Sequence, residues 1–133
     1  MKTGKIYILR LQSGKYYVGK TTNTERRWLE HKAGTGAKIC QIDPPMEKVA
    51  EFDTKETEEK IVLYIEDLST LCLMKHIGPR NVIGGRYITT DYRRVEDTWL
   101  YTEARRIICC LRYHNITIEP IINNIETALR LCK

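Results

Sequence analysis

The 133-residue sequence has no long apolar run, no Cys-x-x-Cys pair, no internal repeat and no low-complexity tract. Its longest hydrophobic stretches, such as Ile107-Ile108-Cys109-Cys110-Leu111, fall far short of the roughly 20 residues that cross a bilayer. A membrane-spanning protein is therefore not expected. The segment Met1 to Lys5 has neither the apolar core nor the small-residue cleavage site of a secretory signal, so the expected location is intracellular, in cytoplasm or nucleus. The cysteines (Cys40, Cys72, Cys109, Cys110 and Cys132) are odd in number and scattered, which argues against a disulfide framework or a four-ligand zinc site. Cys109 and Cys110 lie near His114, but adjacent cysteines rarely ligate one zinc, and reduced thiols are expected. With no linker-like stretch, residues 1–133 read as one domain. No organic cofactor is expected, and the oligomeric state is open.

What is present is an ordinary globular composition, 42% hydrophobic and 29% charged, with an uneven charge layout under a net of +5. Residues 1–40 hold nine Lys or Arg against Glu25 and Glu30, a net of +7. Residues 41–67 hold three bases against nine acids, a net of −6, and the remainder carries +4. A basic stretch beside an acidic one suits a phosphate-binding surface next to a cation-attracting one, although solvated faces read the same way.

Residues 5–11 read as a strand, Gln12-Ser13-Gly14 as a turn and residues 15–19 as the returning strand of a hairpin. Thr22 to Glu25 has the pattern of a capping box, which predicts a helix from about residue 23 to Ala33, stopped by Gly34. Residues 34–45 read as a loop and Met46 to Phe52 as a third strand. Asp53 or Thr54 is the expected cap of the longest helix, from about residue 55 to His76, with Ile61, Ile65, Leu68 and Cys72 as its buried stripe. Residues 79–94 read as irregular. Two further helices are expected, about 95–113 with Val95, Trp99, Ile107 and Ile108 inward, and about 120–131. The expected class is α/β: a small, mainly antiparallel three-stranded sheet flanked by helices, with extra C-terminal helices.

The hairpin holds more than a core needs. Tyr7 and Tyr17 lie on its two strands and can meet across the sheet, Gly19 admits close approach of a ligand, and Lys20 adds a cation. Arg27 and His31 follow at i, i+4 on one helix face. Phosphoryl transfer needs such cations, and a donor or base for the attacking water. Each residue also has a plainer reading: strand-forming aromatics, solvated helix charges, a turn-forming Asn81 in Pro79-Arg80-Asn81.

Lys5-Ile6-Tyr7 and Tyr17-Val18-Gly19, with Arg27 in Glu25-Arg26-Arg27-Trp28, resemble the signature of the GIY-YIG nuclease superfamily, with Lys5 in place of the first glycine and Val18 in place of the isoleucine. The resemblance covers residues 5–87, leaving 95–131 as a helical extension. Residues 74–78 and 81–85 look like a subgroup common in large DNA viruses and some protists. The resemblance implies a metal-dependent DNA endonuclease. Glu66 in Tyr64-Ile65-Glu66-Asp67-Leu68 matches the family's metal ligand, with Glu58 and Glu59 as rivals one helical segment earlier. Glu66 would hold one Mg²⁺ or Mn²⁺, and Asn81 matches an asparagine that orients the site. Tyr7 or Tyr17, helped by Lys20, would position or deprotonate water, and Arg27 would offset charge on the phosphate. His31 would hydrogen-bond a tyrosine or protonate the leaving oxygen. Lys15, Lys32 and Lys38 are the expected DNA-backbone contacts, whereas Arg93, Arg94, Arg105 and Arg106 read as solvated helix charges. The alternative is an inactive DNA-binding module that kept the fold.

Overall fold

A computed structural model describes residues 2–87 and 97–132. Strands β1 (Lys5–Leu11) and β2 (Tyr16–Thr21) form the hairpin, turned by Gly14 at φ +93°. Their antiparallel register sets Tyr7 opposite Gly19 and Leu9 opposite Tyr17. Side chains alternate across a strand, so Tyr7, Leu9, Leu11, Tyr17 and Gly19 share one face while Ile6, Ile8, Tyr16 and Val18 share the other.

Helix α1 spans Thr24–Ala33 and ends at Gly34, which takes φ +80°. Its cap is one residue later than the Thr22 to Glu25 box expected. The Thr21 hydroxyl takes the Asn23 N–H at 3.1 Å, and Asn23 in turn accepts from the Arg26 N–H at 3.0 Å. The expected loop 34–45 contains a short helix, α2 (Lys38–Ile42), which buries Cys40 against Tyr7, Leu9 and Leu11. Strand β3 (Pro45–Asp53) pairs antiparallel with β1, and irregularities after Ile8 and Arg10 account for its imperfect alternation.

Helix α3 (Glu59–Ile77) starts later than the sequence suggests, because Asp53 and Thr54 serve other partners. The Thr54 hydroxyl donates to the Gly4 carbonyl at 2.7 Å, and Asp53 accepts from the Lys55 N–H at 2.8 Å, with Lys55 itself at φ +63°. After a 3-10 turn at Pro79–Asn81 comes β4 (Val82–Gly84), parallel to β2. The sheet therefore has four strands in the order β3-β1-β2-β4, not three. The three residues Val82–Gly84 are too few to show an alternation. The expectations for Arg93, Arg94 and Val95, and the last part of the irregular stretch 79–94, fall outside the described residues.

Helices α4 (Asp97–Tyr113) and α5 (Ile118–Leu131) complete the chain. Leu100, Ile107, Leu111, Ile121 and Ile125 join Ile6, Val18, Ile61, Ile65 and Leu68 in one hydrophobic cluster on the Ile6 face of the sheet. The extension is thus continuous with the main core. Each Ile or Leu buried there contributes about 2 kcal/mol. The opposite face carries a smaller cluster of Tyr7, Leu9, Leu11 and Cys40 under Tyr17, Trp28, Ala37 and Ile39. All five cysteines are free. No helix of the described residues is long and apolar enough to cross a membrane.

Candidate active site

Tyr7, Tyr17 and His31 meet over the smaller-core face, with ring centroids 6.2 Å apart for the two tyrosines and 5.6 Å from each to His31. Tyr7 and His31 are buried, whereas Tyr17 is partly exposed. A β-carbon at Gly19 would stand 2.3 Å from the Tyr7 hydroxyl oxygen. The glycine therefore accommodates the Tyr7 phenol, not the ligand approach that its motif position suggested.

The histidine's protonation follows from its neighbours. The Ala37 backbone N–H donates to His31 Nδ1 at 3.3 Å, so in the neutral ring the proton lies on Nε2. Nε2 then donates to the Tyr7 hydroxyl at 2.8 Å. Burial, with help from the Arg27 charge, lowers the His31 pKa to about 4. In this structure the neutral imidazole has both nitrogens engaged, one of them by Tyr7. It is a donor to Tyr7.

Burial pushes the Tyr7 pKa far up, Tyr17 adds to this, and Arg27 at hydrogen-bonding range only partly offsets it. Tyr7 stays a phenol. Tyr17 is also raised, by burial first and then by Glu66 and Cys40, while Arg27 and a hydrogen bond from Tyr7 work the other way. His31 and Tyr7 are hydrogen-bonded, and Tyr17 beside them is the more exposed of the two phenols. Arg27 is held at its other side by Glu30 at 3.2 Å.

Glu66 reaches the cluster from α3 and is only 5% exposed. Burial raises its pKa to about 7, with Lys20 opposing and Asp67 adding. Its rivals Glu58 and Glu59 are exposed at the helix start, and Glu59 pairs with Lys20 at 3.0 Å. Strand β4 pairs with β2 only as far as Val18. Beyond it, no described strand covers the outer edge of β2 at Gly19 to Thr21. Asp67 is fully buried and committed elsewhere: Arg86 donates to it from Nε at 2.7 Å and from its backbone N–H at 3.0 Å.

Asn81 does not join this group. It is exposed, and its side-chain amide donates to the Ile77 carbonyl at 2.9 Å, capping the C-terminus of α3. Lys15 is partly exposed; Lys32 and Lys38 are exposed, with Lys32 lying 5.4 Å over the Trp28 ring. Sequence reasoning missed Gly36, Ala37 and Cys40. A β-carbon at Gly36 would meet His31 Nδ1 at 2.3 Å. The signal was there: Gly34 alone suffices to stop α1, so Gly36 had no purpose within the loop reading.

A hairpin presenting two tyrosines to a helical arginine and histidine, with a glutamate brought in from a third helix, is the constellation of one nuclease-type family. The family model described as the GIY-YIG catalytic domain matches residues 3–67. A UPF0213 protein of the archaeon Halobacterium salinarum is 35% identical over 66 residues, covering 48% of this chain and 86% of its own length. The chain belongs with these UPF0213 proteins, and about half of it, residues 3–67, matches the GIY-YIG catalytic domain. A UPF0213 protein of Xanthomonas axonopodis is 38% identical over 50 residues, 38% of this chain and 49% of that protein. One of Natronomonas pharaonis is 39% identical over 66 residues, 48% of this chain and 78% of that protein. The chain spans about half the length of the first curated relatives it matches, those from Xanthomonas. No solved structure matches it significantly.

Proposed function

We propose that the chain is a metal-dependent endonuclease that hydrolyses DNA phosphodiester bonds. The observation that supports this reading is the meeting of Tyr7, Tyr17 and His31 at one end of the hairpin, with Arg27 on the same helix as His31 and a buried Glu66 whose charge acts on Tyr17. The donor set fits one hard divalent cation. Among the described residues there is no cluster of three or more His, Cys, Asp or Glu that forms an all-protein cage. A single carboxylate, with water and substrate phosphate filling the remaining positions, suits Mg²⁺ or Mn²⁺. Glu66 would hold it, and Asp67 is already spent on Arg86. When bound, such an ion stabilises charge on a phosphoryl oxygen and favours ionisation of water.

The protein's own groups then have separable tasks. Arg27 faces the tyrosines with its guanidinium and would offset negative charge as the phosphorus becomes five-coordinate. Tyr17, the outermost phenol of the site, would orient the attacking water, and would take its proton only after ionising to the phenolate, which the Arg27 charge favours. Tyr7, held by its hydrogen bond with His31, packs beside Tyr17 and supports its placement. Lys20 balances Glu66. The viral-type subgroup rests on residues 74–85 alone, and the relatives cited are archaeal and bacterial.

The test is a cleavage assay on a panel of duplex, flap and junction DNAs with Mg²⁺, Mn²⁺ or EDTA. Cleavage that needs the metal and disappears in Glu66→Ala is expected. Binding without cleavage on every substrate would make the chain a DNA-binding module with the family fold.

A further inference from the structure

On the far side of α3, its first two turns and the last third of α4 flank a shallow cleft of about 420 Å³. Lys60, Tyr64, Arg106, Cys110, Tyr113 and His114 line it, and no carboxylate does. The aromatic groups are arranged side by side: Tyr64 and His114 lie 6.1 Å apart at 33°, and Tyr113 stands edge-on to His114 at 5.3 Å. Tyr113 is 83% exposed, although large rings are usually covered in a monomer. Cations bracket the rings. Arg106 is held at the rim by Glu103 at 3.1 Å, and the Arg86 guanidinium lies 5.8 Å over Tyr64.

We infer that this cleft binds an unpaired stretch of the DNA strand, with bases stacking on Tyr113 and Tyr64 and phosphates facing Lys60 and Arg106. Solvent-facing rings interleaved with cations are the combination that grips single strands without reading sequence. A protein partner with an apolar face is less well matched, because the side chains that line the cleft include Lys60 and Arg106 and no carboxylate, Glu103 standing behind Arg106 at the rim. Its position suits the same substrate. Lys60 adjoins Glu59, the partner of Lys20, and lies only about 9 Å along the helix axis from Glu66. Arg86 ties the two regions together, covering Tyr64 while pairing with Asp67, the neighbour of Glu66. Most of the lining comes from α4 and the residue after it, outside the stretch that matches the family model, so the cleft is a property of this chain's extension. The inference rests on the DNA substrate proposed above, but not on catalysis.

The experiment is fluorescence anisotropy in EDTA, titrating the full chain into a short fluorescein-labelled oligothymidylate and, separately, into a hairpin duplex. Tyr113→Ala is expected to weaken oligothymidylate binding roughly tenfold, Tyr113→Phe to retain it, and duplex binding to stay unchanged in both. Tyr113 is exposed, so neither variant endangers folding. No binding of oligothymidylate by the parent protein, equal affinity of Tyr113→Ala and parent, or equal losses on single strand and duplex would each overturn the inference. Because no metal is present, a catalytically inert chain that shows the Tyr113 effect still supports the cleft while defeating the nuclease proposal. Cleavage with an indifferent Tyr113→Ala does the reverse.

Discussion

Gly19 stands directly opposite Tyr7 in the β1–β2 ladder, and a β-carbon there would lie 2.3 Å from both the Tyr7 hydroxyl oxygen and its ring carbon Cζ. The Tyr7 ring cannot swing aside, because its hydroxyl is held by His31. Gly19→Ala is therefore expected to displace the phenol and lower turnover roughly a hundredfold, as misplacements near 1 Å do. Single-turnover kinetics beside a thermal melt checks this; full activity in the variant would show that Tyr7 placement is not critical.

Tyr17→Phe removes one hydroxyl and keeps the ring that packs on His31. Turnover should fall by a factor on the order of 10² to 10³, while DNA affinity stays within about twofold. An equal loss of affinity would move Tyr17 from the chemistry to the binding surface.

The two buried titratable groups impose opposite pH dependences on the metal-free protein. The His31 pKa is depressed from 6.5 to about 4, so its contribution is fully present above 6.5 and is lost as pH falls through 4. The Glu66 pKa is raised from 4.5 to about 7, so its contribution is fully present below 4.5 and is lost as pH rises through 7. Each window is worth about 3 kcal/mol. Urea melts across this range should show His31→Gln losing the acid-side slope and Glu66→Gln losing the alkaline-side one. Parallel curves for parent and variants would refute both assignments.

The Asp67–Arg86 pair is asymmetric, with the carboxylate at 0% and the guanidinium at 45% exposure. Removing Arg86 strands a buried charge, whereas removing Asp67 leaves a cation that water can solvate. Arg86→Met is expected to cost about 3 kcal/mol and Asp67→Asn markedly less. Denaturant midpoints decide it, and the reverse order would mean the pair acts through packing.

Duplex binding in the absence of metal should weaken steeply with salt, with a log–log slope of about −0.9 per phosphate contact. Replacing Lys15, Lys32 and Lys38 together is expected to flatten it. Replacing Arg105 and Arg106 should do less, since Arg105 lies over Tyr101 and Arg106 is held by Glu103. A slope dominated by the arginines would move the duplex-gripping surface to α4.

The hairpin, α1, β3, α3 and the C-terminal helices were legible because alternation, glycine stops and helical spacing act locally. The fourth strand was not, because Val82–Gly84 owes its conformation to pairing with Tyr16 to Val18, more than sixty residues earlier. The late start of α3 has a similar cause: Thr54 hydrogen-bonds the distant Gly4 carbonyl and is taken out of its expected cap. In the site, residue types and order identified Tyr7, Tyr17, Arg27 and Glu66 for attention. The neutrality of His31 depends on burial and on the Ala37 amide, neither of which a spacing can show. Asn81 had the right type and position, yet the free Ile77 carbonyl at the end of α3 claims its amide.

Tyr7, Tyr17, Arg27 and His31 come from 25 consecutive residues, whereas Glu66 arrives 35 residues after His31 on a helix whose docking needs the whole sheet. Contacts of that span form late, since the loop between them must close first. A growing chain therefore carries its phenols and cations together well before it has the carboxylate that would recruit a metal. On the nuclease reading proposed above, hydrolytic competence would thereby be reserved for the finished fold, and a partly folded or clipped molecule would hold the phenols and cations without the carboxylate.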